Sequence, residues 1–317
     1  MNQLKKLLDY IFHNPRALIS AILVRMAPII PDRLYLKWLF RLKMGKKLNL
    51  DNPQTFSEKL QWLKLYNRKP EYTQMVDKYE AKKYVANIIG EEYIIPTLGV
   101  WDKFDDIDFD TLPNQFVLKT THGGGNTGVV ICKDKTQFNK EKARRKLNKS
   151  LKTCIYRDFR EWPYKDVKHR IIAEKYIEVV GQQDLPDYKF FCFDGEPKYC
   201  QVIRDRNTKA TLDFYDMNWS HMPFIGLNPV IKNGLYPVAK NGVEPIEKPI
   251  SLDKMISICE TLAIKAPFVR IDLYVILDKI YFGEITFFPA SGLGCFDPDE
   301  WNTKLGDMIQ LDHIPHR

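Results

Sequence analysis

Two acidic residues sit inside a pair of strongly apolar segments, and that placement limits what the segments can be. Val269–Ile276 and Ile280–Phe287 flank Leu277-Asp278-Lys279 and together read as a β-hairpin. Side chains two apart on a strand share a face. With the turn centred on Asp278, Asp272 lies opposite Glu284 and Arg270 opposite Thr286, so all four project from one face. Their neighbours are apolar on both faces, which predicts a buried sheet. Buried carboxylates are paired or hold a metal. A facing pair suits Mg²⁺, which takes one or two carboxylates and completes its shell with phosphate and water. Arg270 beside them is placed to stabilise charge on a transferred phosphoryl group. The alternative is a solvent-facing hairpin with incidental charges.

A second constraint is His122-Gly-Gly-Gly-Asn-Thr-Gly128. Phe116–Lys119 before it and Val129–Cys132 after it read as strands, so the glycines join an antiparallel hairpin. A dinucleotide fingerprint would open a helix instead. The Walker pattern is absent. A loop of this kind folds over a triphosphate through its backbone N–H groups, or is simply a glycine-rich turn. Lys119, ending the entering strand, is placed to reach phosphates as a point charge. Lys189 in Asp187-Tyr-Lys-Phe-Phe is a second candidate, against the alternative of a surface lysine on a half-exposed strand. The strand predicted over Ile171–Ile177 contains Glu174, Lys175 and Ile177 and runs into polar Gly181–Asp184. Such a segment can serve as a hinge whose backbone reads an adenine edge.

Helices are predicted over Ser57–Tyr66, Asp77–Ile89, residues 139–153 and Leu252–Ala263, with an extended stretch at Tyr93–Trp101. Asp194-Gly195 marks a hairpin between Tyr188–Phe193 and Lys198–Ile203. Helices early and paired strands late predict an α+β fold with mostly antiparallel sheets. Four regions follow: a basic helical segment over 1–50, a helical and extended subdomain over 51–115, a glycine-loop subdomain over 116–175, and a C-terminal subdomain with the carboxylate pair over 176–317.

Six scattered cysteines with no Cys-x-x-Cys pair and no histidines near them fit reduced thiols in a cytosol rather than zinc. The net charge is +8, and residues 1–50, with six Lys and four Arg against Asp9 and Asp32, hold all of it. The rest is formally neutral, which disfavours a nucleic-acid partner outside that segment. Arg25 and Pro28 interrupt the apolar run there before it reaches the ~20 residues of a membrane span. No small-residue cleavage site marks a secretory leader. Residues 1–50 are then a helical cap with a solvated basic face, or a region touching an anionic membrane or polymer.

Taken together these residues resemble the ATP-grasp superfamily, and more closely the TupA-like ATP-grasp proteins of teichuronopeptide and capsular polysaccharide biosynthesis. The likeness is carried by Lys46–Leu50, Thr55–Lys64, Asp77–Glu80, Phe116–Lys119, Ile172–Tyr176, Asp187–Gly195, Arg270–Tyr274, Phe282–Phe287 and Trp301–Asp307. The resemblance implies an ATP-grasp fold, with two α+β subdomains gripping ATP. It implies a cytoplasmic enzyme, working at the inner face of the membrane if residues 1–50 touch it. It implies ATP and Mg²⁺ as cofactors, with Lys119, Gly123, Gly124, Gly125, Glu174, Lys175, Ile177 and Lys189 on the nucleotide, and Asp272, Glu284 and Thr286 on the metal. Arg270 and Ser291 are then catalytic, Ser291 standing where peptide ligases of this fold hold a substrate carboxylate. Thr286 departs from the usual Asn. The implied reaction joins an amino acid to an anionic, uronic-acid-containing glycan or its precursor through an acyl phosphate, forming an amide. Arg157, Arg160, Arg204 and Arg206 are candidates to grip an anionic substrate, or are surface arginines. Rival readings are a metal-dependent glycosyltransferase, with Asp-x-Asp at Asp106–Asp108, Asp108–Asp110 or Asp297–Asp299, and a non-catalytic polymer-binding protein. A protein-kinase reading fails because no His-Arg-Asp or Asp-Phe-Gly follows the glycine loop.

Overall fold

The computed structural model describes residues 15–125, 127–177, 187–204, 211–228, 245–264 and 266–315. Helices α1 (Pro15–Met26) and α2 (Asp32–Met44) open the chain, and α2 stops at Gly45, whose φ of 73° makes a left-handed cap. Helix α3 (Phe56–Tyr66) begins at a capping box. Glu58 donates its N–H to Thr55 Oγ1 at 3.3 Å, and its carboxylate accepts the Thr55 N–H at 3.1 Å.

The helix predicted from Asp77 begins three residues later. Helices α4 (Glu71–Val76) and α5 (Glu80–Ile89) are separate because the Asp77 carboxylate accepts from the N–H groups of Tyr79 and Glu80, at 2.8 and 3.3 Å. A side chain that satisfies backbone donors in this way competes with continued helix.

A four-stranded antiparallel sheet follows, in the order β1-β4-β2-β3. Its strands are β1 (Thr97–Trp101), β2 (Phe116–Thr120), β3 (Val129–Cys132) and β4 (Ile171–Lys175). Helix α6 (Lys140–Leu151) presses Ala143 and Leu147 into a separate core with Phe109, Phe116, Leu118 and Ile171. This core and strand β1 draw on residues before 116, so the sheet extends into the region set apart as 51–115. Pro96 and Gly99 mask the strand pattern of β1, and its ladder to β4 shifts between Thr97 and Gly99.

Between α6 and β4 the chain leaves this sheet. Helix α7 (Ile155–Phe159) packs against the turn Ala27–Ile29 that follows α1, and the turn after α7, Trp162–Tyr164, packs against α4. Arg160, buried at 4% exposure, ion-pairs with Asp32 at 2.8 Å and lies 4.1 Å over the Tyr35 ring. It also donates to the carbonyls of Ala27 and Ile30. Arg160 is therefore a structural clamp; neither substrate-gripping nor surface exposure describes it.

The second sheet is five-stranded and antiparallel, in the order β10-β9-β5-β6-β7. Its strands are β5 (Asp187–Phe193), β6 (Glu196–Arg204), β7 (Thr211–Asp216), β9 (Val269–Ile276) and β10 (Lys279–Thr286). Short strands β8 (Ile225–Asn228) and β11 (Cys295–Asp297) pair apart from it. Helix α8 (Leu252–Leu262) covers one face, and α9 (Glu300–Asp307) packs on α3. Phe56, Phe191, Phe193 and Phe268 meet in the main core, Phe56 edge-on to Phe268 at 4.9 Å. All six cysteines are free thiols.

Candidate active site

The carboxylate pair faces as expected, but by a different route. Leu277 and Asp278 both have positive φ, 49° and 63°, and Lys279 already pairs with Ile276. The turn therefore has two residues, not three. Continued unbroken, that register would set Gly283 against Asp272. The ladder instead shifts between Phe282 and Glu284, and beyond the shift Glu284 opposes Asp272 and Thr286 opposes Arg270. A side chain at Gly283 would place its Cβ 2.9 Å from Tyr274 Cε2 and 3.0 Å from the Asp272 carbonyl oxygen.

Arg270 ties the four residues together. Its Nε and Nη2 donate to the two Asp272 oxygens at 2.7 and 2.8 Å, and Nη2 donates to Glu284 at 3.0 Å and to Thr286 Oγ1 at 3.2 Å. Two lysines complete the cluster. Lys189, buried rather than half-exposed, pairs with Asp187 at 2.9 Å and with Asp272. Lys78 donates to Glu284 at 2.9 Å. Burial pushes the Asp272 carboxyl up, against the pull of Arg270 and Lys189. Desolvation works on Glu284 in the same sense, but Lys78, Arg270 and Lys189 outweigh it and hold Glu284 well below the carboxylate range.

Across the cleft, Glu174 receives two lysines, Lys119 at 2.5 Å and Lys82 at 2.7 Å. Burial alone would raise its pKa; the two ammonium groups reverse this and hold it at about 2. Gly125, with φ of 60°, Lys119, Lys78, Lys189, Asp272 and Glu284 all line one cavity of about 170 Å³. Gly123 and Gly124 lie earlier in the loop and are not among its lining residues. Lys175, Tyr176, Ile177 and Tyr281 line a neighbouring cavity of about 540 Å³, where Lys175 donates its N–H to the Pro96 carbonyl at 3.0 Å. The polar stretch Gly181–Asp184 lies outside the described residues, as does Arg206.

Ser291 belongs to an adjoining polar cluster. It is the middle of three consecutive left-handed residues, Ala290, Ser291 and Gly292, with φ of 48°, 55° and 62°. Its hydroxyl donates to Glu161 at 2.5 Å, and its carbonyl accepts from Lys64 at 2.7 Å and Gln61 at 3.0 Å. Burial lowers the Lys64 pKa to about 8, with Glu161 pulling the other way, and burial raises Glu161.

Lys78, Lys82, Lys64 and Glu161 were not singled out from the sequence. Lys78 sits in Asp77-Lys-Tyr-Glu, beside the helix start, where a charged residue is unremarkable. Ser57, Gln61 and Lys64 recur at helical spacing on α3 and are all buried, a polar stripe that the leucines of the same helix obscure. Two of the Asp-x-Asp acids have structural partners: Asp108 accepts from the Asp110 N–H at 3.0 Å within its own loop, and Asp299 pairs with Lys46 from the other end of the chain at 2.7 Å. Arg204 pairs with Asp213 at 3.2 Å and Arg157 with Asp158 at 2.9 Å.

Two antiparallel sheets closing on facing carboxylates, convergent lysines and a glycine loop define an ATP-grasp protein. The chain belongs to the TupA-like ATP-grasp family, whose model matches residues 58–310. Among solved structures it is similar to D-alanine–D-alanine ligase from Bacillus anthracis, at 19% identity and a TM-score of 0.39, covering 80% of this chain and 67% of that one. It is similar also to PurK, N5-carboxyaminoimidazole ribonucleotide synthetase, in its ADP complex, at 13% identity and a TM-score of 0.40, covering 73% of this chain and 50% of that one. The ATP-grasp ligase PsnB with minimal precursor, Mg and ADP matches at 10% identity and a TM-score of 0.36, covering 73% and 57%. No curated protein matches the chain.

Proposed function

We propose that this chain is an ATP-dependent carboxylate–amine ligase. The reading is carried by one observation: Lys78, Lys119, Lys189, Asp272, Glu284 and Gly125 converge on a single cavity, with Arg270 tying the two carboxylates together behind it. The donor set fits magnesium and a nucleotide. Asp272 and Glu284 offer hard carboxylate oxygens, with the Thr286 hydroxyl beside Glu284, and the lysines offer phosphate partners. Bound there, Mg²⁺ would neutralise phosphate charge and orient the γ-phosphoryl group.

The residues then divide the work. Lys119, set by Glu174, and Lys189 hold phosphate oxygens. Gly125, the loop glycine in the cavity wall, covers them from the glycine loop that begins at Gly123 and Gly124, and excludes water. The backbone of Lys175 and Ile177 edges the adenine cavity. Arg270 stabilises the charge that develops when a substrate carboxylate oxygen attacks the γ-phosphorus and ADP leaves. An amine then attacks the acyl carbon of this acyl phosphate, phosphate leaves, and the amine proton is lost. Ser291, at the Glu161 end of the cleft, holds the substrate carboxylate side. On the resemblance of the sequence, the two partners are an amino acid and an anionic, uronic-acid-containing cell-surface glycan or precursor, joined in the cytoplasm.

The test is ADP and phosphate formation from ATP, screened over amino acids with uronic-acid sugars, with the amide product read by mass spectrometry. Asp272→Ala and Glu284→Ala should abolish ADP formation while circular dichroism stays native. Normal ADP formation in either variant would sink the assignment. Turnover of a nucleotide sugar without ATP would favour the glycosyltransferase.

A further inference from the structure

The first two helices present a surface that the ligase chemistry does not use. Seven of the twelve exposed large apolar side chains among the described residues lie between Leu18 and Trp38. Ile19, Ile22 and Met26 recur three and four apart, which puts them along one face of α1, and Ile29 follows in the tight turn after it. Ile29 is 77% exposed and Trp38 is 46% exposed. The other side of the two helices, through Leu23, Leu36 and Phe40, is buried in the main core with Ala27 of the turn between them, so the orientation of this face is fixed.

Charge accompanies the apolar stripe. Arg25, Lys37, Arg41, Lys43 and Lys47 have no carboxylate partner within 4.0 Å among the described residues. A groove of about 480 Å³ beside Ile22 and Val24 is lined by Arg25 and Arg157, two guanidinium groups over an apolar floor. No helix among the described residues is long and apolar enough to cross a membrane.

We propose that α1 and α2 lie on the surface of an anionic lipid bilayer. Ile19, Ile22, Met26, Ile29 and Trp38 enter the headgroup and acyl boundary, and the unpaired lysines and arginines meet lipid phosphates. An acidic polymer would satisfy the cations but leave the isoleucines and the tryptophan in water. A second copy of this chain, docked through the same face, would bring two basic surfaces together. An anionic bilayer satisfies both features at once. The face lies outside the catalytic cleft, so this inference stands or falls separately from the ligase reading.

The test is co-sedimentation of the full chain with vesicles of phosphatidylcholine alone and of phosphatidylcholine with phosphatidylglycerol. Binding is expected to the anionic vesicles only, and to weaken in high salt. Ile22→Glu and Ile29→Glu should each lower the partition coefficient by about tenfold. Trp38→Phe preserves packing and serves as the second measure: brominated anionic lipid should quench the fluorescence of the unmodified protein more than that of the variant. No binding to anionic vesicles, or undiminished binding by the glutamate variants, overturns the proposal. So does a dimer that both glutamate variants dissociate without any vesicle binding.

Discussion

Glu284 faces Asp272 because Gly283 stands as an extra residue in the ladder between β9 and β10. Without that bulge Glu284 would oppose Ile271 and turn its carboxylate toward the core. Gly283→Val forces a Cβ to 2.9 Å from the Tyr274 ring and 3.0 Å from a backbone oxygen. Overpacking of this kind costs about 1–3 kcal/mol. The expected result is a lower denaturant midpoint together with loss of ADP formation. Full activity would show that the bulge does not set the carboxylate pair.

Lys78, which donates to Glu284 at 2.9 Å, does more than any other cation to hold Glu284 ionised. Lys78→Met removes it, so the Glu284 carboxyl moves back up toward its ordinary range. The acid limb of the ADP-formation profile should shift to higher pH, and Lys78→Arg should restore it. An unmoved limb in Lys78→Met would exclude control of Glu284 by this lysine.

Glu174 makes stability depend on acid. Its folded pKa is about 2 against an ordinary 4.5, so the unfolded chain binds the proton first. The stabilisation is complete above 4.5 and is lost as pH falls toward 2. Its size is about 3 kcal/mol from the 1.36 kcal/mol attached to each pKa unit. Urea unfolding across that window should show the decline, and Glu174→Gln should flatten it while lowering stability at neutral pH.

Gln61 donates to the carbonyls of Ser291 and Gly292, at 3.0 and 2.9 Å, and so holds the left-handed turn beside the cleft. Gln61→Leu leaves the Gly292 carbonyl without this buried donor, while the Ser291 carbonyl keeps Lys64, and one such loss costs about 1–3 kcal/mol. Thermal unfolding should show the loss. Unchanged stability would mean that the turn holds itself.

Legibility in the sequence followed the range of the interactions. The β9–β10 hairpin could be read because apolar alternation and two acids on one face are local signals, and the opposed pairs survived an error of one residue in the turn because Gly283 compensates for it. The glycine loop could be read from its flanking strands. The Glu174 triad could not, because Lys82 reaches it from a helix while Lys119 comes from a neighbouring strand. Arg160 could not either: its partner Asp32 is more than a hundred residues away, and only the folded chain brings the guanidinium under the first helices. Lys64 was hidden by its own helix, whose leucines mark the core side and give no hint that a polar stripe is buried as well.

The segment anchored by Arg160 interrupts the glycine-loop unit between α6 and β4. That unit is therefore sewn to the helices before it at several points, through Arg160 and Asp32, through Glu174 and Lys82, and through Arg170 with Asp77 and Glu80. A flap stitched at several seams resists swinging as a whole. Its least tied edge among the described residues is the β2–β3 hairpin tip, so nucleotide entry and release should travel through that short ribbon, and the rate of exchange should answer to loop substitutions more than to changes at any one seam.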